Sequence, residues 1–178
     1  MEEEEYGTRR EKAQAYFKKG YNCSQAVFAA YADLYGLDEE MALRLSASFG
    51  GGIGRMRSVC GCATAMFMVA GLETGCTDGA NQEGKGKNYE VVQHLAEEYK
   101  REAGGSMICS ELLGLTPMPQ NSAAVRETAL TEEEKKTATQ AKPSERTEQY
   151  YKKRPCVELV GLACDIIEKE FLKENEKK

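Results

Sequence analysis

Cys23, Cys60, Cys109 and Cys156 each stand where a helix is expected to begin. The first turn of a helix offers unpaired amide donors and a partial positive charge, and both favour a thiolate over a thiol. Such placement suits sulfur that holds a metal or exchanges electrons. None of the four has a partner at CxxC spacing, so any site they build depends on the fold bringing distant segments together. Four converging thiolates could hold a 2Fe-2S or 4Fe-4S cluster. A four-cysteine zinc site needs the same ligands but is usually built from closely spaced pairs, which this chain lacks. Spacing leaves two other readings open: a reversible disulfide between two of the four, and plain core packing, because buried Cys behaves as a small apolar residue.

The other cysteines divide by setting. Cys62, next to Gly61, can replace or assist Cys60, whereas Cys76 reads as a loop thiol and Cys164 as part of an apolar helix seam. Ahead of Cys60 runs Gly50-Gly51-Gly52-Ile53-Gly54, where missing side chains let backbone amides approach sulfide or another anion, with Arg55 and Arg57 adding positive charge. The run is a poor phosphate cradle, since no Gly-Lys-Ser/Thr follows and no strand precedes it. His94, the single histidine, sits among Gln93, Glu97 and Glu98 and reads as part of a solvated helix face. Paired carboxylates lie on charged faces rather than in an apolar setting, so no hydrolase constellation emerges.

The elements that must position these residues read as all-α, a compact bundle of about five to six helices. A charged helix is expected over residues 2–19, stopped by Gly20. A second runs from Asn22 or Cys23 to Tyr35, with Val27, Tyr31 and Leu34 on one face and Gly36 at its end. Asp38 can cap a third through Met41, Leu45 and Phe49. Residues 60–75 are apolar on every face and are expected to form the central helix. A fifth is expected over 89–102, and a short one starts at Cys109. All four prolines fall within a polar excursion, residues 116–155, with one helical piece expected at 131–140. The last helix begins beside Pro155, and Val157, Val160, Cys164, Ile167 and Phe171 repeat at seam spacing.

The chain has 178 residues, 41% of them hydrophobic and 30% charged, which suits one sizeable core and a single domain over 1–178. A net charge of −5 and the lack of basic clusters interleaved with aromatics argue against nucleic acid. The acidic start lacks the features of a secretory signal, and the longest apolar run, near residues 63–72, is too short to cross a bilayer. The expected compartment is the cytoplasm, without membrane insertion. Seven cysteines, an odd number, then favour reduced thiols, metal ligands or a catalytic pair over a disulfide framework.

Tyr21-Asn22-Cys23-Ser24-Gln25-Ala26, the Gly50 to Gly54 run with Arg55, Cys60-Gly61 followed by Gly71-Leu72 and Gly75, Cys109 with Leu112, and Cys156 with Leu159-Val160 form an ordered set. In that order the sequence resembles the redox-active family named for its C_GCAxxG_C_C cysteine pattern. Two departures stand out. Read from Cys60, the pattern meets Cys62 in place of Ala and Ala65 in place of Gly; read as Gly61-Cys62-Ala63, it meets Met66 at its final Gly. Cys60 is preferred because the downstream Gly-Leu-x-x-Gly then keeps its usual distance. The excursion at 116–155 also looks longer than the family usually carries.

The resemblance implies a small helical bundle similar to the non-haem part of split-Soret cytochromes, with Cys23, Cys60, Cys109 and Cys156 as ligands of an iron-sulfur cluster, 2Fe-2S favoured. Cys62 is the substitute for Cys60, and zinc is the alternative metal. Haem is not expected, for the chain has no C-x-x-C-H. The role so implied is single-electron transfer or redox sensing, with an unidentified redox protein as partner and a homo-oligomer compatible with it. A helical interaction module with structural cysteines is the reading from a different class.

Overall fold

The computed structural model describes residues 6–116 and 131–172. Among the described residues there are nine α-helices, and the only extended pairing is an isolated antiparallel bridge, Val59 with Ile108. The all-α expectation holds, and six of the helices are eight residues or longer. No helix among the described residues is long and apolar enough to cross a membrane.

Local chemistry sets the helix starts. α1 (Arg9–Lys18) begins where the Thr8 side chain accepts from the Glu11 amide, later than expected from the acidic run, whose residues 2–5 lie outside the described ones. α2 (Cys23–Tyr31) opens with a reciprocal capping box between Asn22 and Gln25, then tightens into a 3-10 turn, Ala32–Tyr35, ended by left-handed Gly36. Asp38 caps α3 (Glu39–Ser46) as expected. α4 (Gly61–Thr74) takes Cys60 as its N-cap residue.

α5 (Gln82–Glu102) starts a full two turns before the expected boundary. Gly84 and Gly86 suggested a loop, but the Asn81 side chain caps the Gly84 amide, and Asn88 Nδ2 donates to Thr74 Oγ1 at 2.8 Å and Ala70 O at 3.3 Å, tying the early turns to α4. α6 (Cys109–Leu112) is a single turn. Within the excursion, α7 (Glu132–Lys136) carries a Thr131–Glu134 capping box, and α8 (Glu148–Lys153) is a helix the polar sequence did not suggest. Pro117 and Pro119 lie outside the described residues. α9 (Cys156–Ile167) follows Pro155 and continues as a π-turn, Glu168–Leu172.

α4 lies in the core as expected, but shares the centre with α2. α2 packs against α1, α3, α4 and α9, and every residue of it except Gln25 is buried. α4 packs against α2, α5 and α9 through Cys62, Ala63, Met66 and Val69, while its far end exposes Leu72. Burial of each large apolar side chain here, Val27, Met66 and Leu95 among them, stabilises the fold by about 1.5–3 kcal/mol relative to exposure. Small residues at Ala26, Ala29 and Ala30 let the helices approach closely. This packing brings the starts of α2 and α4 side by side, and α9 closes over them against α1.

Candidate functional site: a cysteine and arginine cavity

Cys23, Cys60, Cys62, Cys109 and Cys156 all line one cavity of about 300 Å³. Each of the four cysteines expected at helix starts is there: Cys23, Cys109 and Cys156 are first residues of α2, α6 and α9, and Cys60 is the N-cap of α4. Cys62, the proposed substitute, joins them. The remaining two do not. Cys164 is fully buried in the α9 seam with Tyr31 donating to its carbonyl at 3.1 Å, and Cys76 sits in a loop with its sulfur 3.6 Å from Asp78 O. His94 is on the outer face of α5, 3.3 Å from Glu170.

The bridge between Val59 and Ile108 fixes two of the four starts relative to each other. Cys60 N donates to Met107 O at 2.8 Å and Cys109 N to Ser58 O at 2.6 Å. The glycine run folds into a left-handed turn, with positive φ at Gly51, Gly52, Ile53, Gly54 and Arg55, and again at Arg57. For β-branched Ile53 this conformation is strained by about 1–3 kcal/mol, an expense that tends to gather at functional sites. The turn hugs the sulfurs. A Cβ on Gly52 would lie 2.6 Å from the Cys109 Cβ, and one on Gly61 would lie 2.5 Å from the Cys23 sulfur.

The sulfurs interact. The thiols of Cys60 and Cys62 donate to Cys23, and together with smaller help from the Gly51 and Ser24 amides they hold Cys23 well below the usual thiol range despite its burial. Cys60 is pushed up mainly by its bond to Cys23, and Cys62 mainly by burial. Of the three, Cys23 is thus the sulfur most readily ionised. Tyr99, fully buried on α5, donates its hydroxyl to Cys60 Sγ at 3.3 Å. Burial also raises Cys109, opposed by Arg57, whose Nη1 lies 3.7 Å from the sulfur. Cys156 is half-buried, its open side facing the cavity, and the surrounding protein still pushes its thiol up to about 12.

Among the described residues four arginines, Arg55, Arg57, Arg146 and Arg154, share the cavity wall, and no carboxylate does. Arg57 is almost wholly buried and reaches across with Nε and Nη2 to Ala138 O at 2.8 and 2.5 Å. Arg55 Nε donates to Gln140 O at 2.6 Å, so both arginines clamp the segment after α7 onto the site. Arg146 and Arg154 come from the excursion itself and stack on Tyr150, each 4.7 Å from its ring centre. Sequence reading found Arg55 and Arg57 but missed Arg146, Arg154 and Tyr99. The signal for Arg154 was its place two residues before Cys156.

Among the described residues no group of three or more His, Cys, Asp or Glu side chains is set to hold a single metal ion. The arrangement does offer five cysteine sulfurs on one cavity, Cys23 the most readily ionised, and a cationic wall. The family described as Putative redox-active protein (C_GCAxxG_C_C) matches residues 21–170. The chain belongs to this family. The matched residues include Cys23, Cys60, Cys62, Cys109 and Cys156, all of which line the cavity. No curated protein and no solved structure matches the chain.

Proposed function

We propose that this member of the redox-active family is an electron-transfer or redox-sensing protein that holds an iron-sulfur cluster, 2Fe-2S favoured, on Cys23, Cys60, Cys109 and Cys156, with Cys62 as the substitute for Cys60. The observation that carries the reading is four helix-start cysteines lining one cavity with four arginines and no carboxylate. The donor set fits the group. Sulfur is the ligand such clusters take, a thiolate-bound cluster is anionic, and buried guanidiniums without ion-pair partners call for an anion. When bound, the cluster supplies a one-electron couple.

The chain's own residues would prepare and tune it. Cys23 is already poised to ionise, whereas Cys60, Cys109 and Cys156 would release protons on ligation. Tyr99 and Arg57 direct donors at the sulfurs of Cys60 and Cys109, and such donors favour the reduced, more negative state. Zinc on the same four sulfurs is the alternative metal. The test is iron and acid-labile sulfide analysis with visible absorption on anaerobically purified protein. A sample that stays colourless after reconstitution with iron and sulfide rejects the cluster.

A second reading rests on the Cys23 contacts. With Cys60 and Cys62 beside Cys23 on the cavity wall, Cys23 and one of them, counted as two thiols, would form a disulfide by passing two electrons and two protons to a disulfide acceptor, which becomes two thiols. Mass spectrometry after alkylation, before and after reduction, separates the two readings.

A further inference from the structure

The cavity holds more positive charge than a cluster needs. Two ferric ions, two sulfides and four thiolates sum to about two negative charges, set against four guanidiniums. None of the four arginines forms an ion pair among the described residues. Arg57 is committed to Cys109 and to Ala138 O; Arg146 gives Nη2 to Tyr21 O at 3.2 Å and stacks on the Phe17 and Tyr150 rings, while its buried Nη1 has no hydrogen-bond partner among the described residues.

Arg154 is different. It is only 9% exposed, yet beyond stacking on Tyr150 it makes no hydrogen bond to a described residue. Arg55 spends Nε and Nη2 on carbonyls and leaves Nη1 unused. The two line one cavity with Arg57, and there burial first and then the charges of Arg57 and Arg154 hold Arg55 down. Like charges gathered at a half-buried wall are costly unless an anion joins them. Guanidinium forks converging from two chain segments match the several oxygens of one small oxyanion.

We infer that Arg55 and Arg154, backed by Arg57, bind a small inorganic oxyanion inside the cavity, beside Cys109 and Cys156. The inference rests on the redox reading in setting that anion next to an electron centre, but the binding itself needs only the arginines.

The test is equilibrium dialysis of the full chain with radiolabelled inorganic phosphate at low salt, in both cluster-loaded and cluster-free protein. One saturable site per chain in both forms is expected. Arg154→Gln and Arg55→Gln should each weaken it about tenfold or more, and Arg101→Gln, on an exposed residue paired with Glu98, should leave it unchanged. Should Arg154→Gln fail to fold, Arg154→Lys keeps the charge but loses the fork and is expected to weaken binding less than Arg55→Gln does. Absence of saturable binding, indifference to both arginine changes, or binding confined to the cluster-free form overturns the inference; in the last case the arginines serve the cluster alone. Iron and sulfide content, measured on the same samples, reports separately on the cluster.

Discussion

Replacing Gly61 and Gly71 of the same helix by Ala should move stability in opposite directions. A Cβ at residue 61 would sit 2.5 Å from the Cys23 sulfur, 3.0 Å from Phe49 O and 3.1 Å from Ser24 N. Ordinary contact needs about 1 Å more separation from the sulfur, and backbone on two sides leaves no direction of retreat. Overpacking of this kind costs about 1–3 kcal/mol, and the better helix propensity of Ala returns less than about 1 kcal/mol. The net loss of about 1–2 kcal/mol corresponds to a melting temperature lower by about 2–8 °C. At Gly71, where nothing lies within 4 Å of the added carbon, only the propensity gain remains, about 0.5–1 kcal/mol of stabilisation. Thermal and urea melts followed by circular dichroism read both. If Gly61→Ala is as stable as the parent while Gly71→Ala is stabilised, the close approach of the α4 start to Cys23 is wrong, and with it the gathering of the sulfurs.

Further outcomes follow from single contacts. Cys156→Ser should abolish a visible chromophore, whereas Cys164→Ser, buried in the seam and away from the cavity, should keep it and lose about 1–3 kcal/mol of stability in a urea melt. Tyr99→Phe removes the donor to Cys60 and should lower the midpoint potential of the loaded protein at a stability cost of about 0.5–1.5 kcal/mol, read by redox titration and denaturation. Asp33, bonded to Arg9 and Lys12, is held down to about 2. Its stabilising effect is full above the unfolded value near 4 and is lost as pH falls through about 2, but its half-exposed position limits this to under about 1 kcal/mol. Asp33→Asn should therefore flatten the stability curve between about pH 4 and pH 2 and cost little below it.

The helix starts at Asn22, Asp38 and Thr131 were legible in the sequence, because these residues cap by short-range chemistry that needs no tertiary context. The same locality made the four helix-start cysteines readable one at a time. Their meeting was not readable, because it depends on how α2, α4 and α9 cross, and spacing carries no such information. The early turns of α5 were hidden by Gly84 and Gly86, whose low propensity is outweighed by the Asn88 bonds to α4. Arg146 and Arg154 were hidden for a related reason. In a polar stretch without apolar period, a charged residue reads as solvated, and only the docking of that stretch by Arg55 and Arg57 turns it into a wall of the cavity.

The chain order of that wall has a consequence for biosynthesis. Cys23, Cys60 and Cys62 leave the ribosome before the cavity's other cysteines, and the α2–α4 contact that brings them together lies within residues 23–74. Cys109 follows, but Arg146, Arg154 and Cys156 emerge only with the last quarter of the sequence. A growing chain therefore carries a nest of adjacent thiols, open on one side, while translation continues. In that interval an external oxidant would most easily join Cys23 to a neighbouring thiol, taking up the two electrons and two protons the disulfide releases.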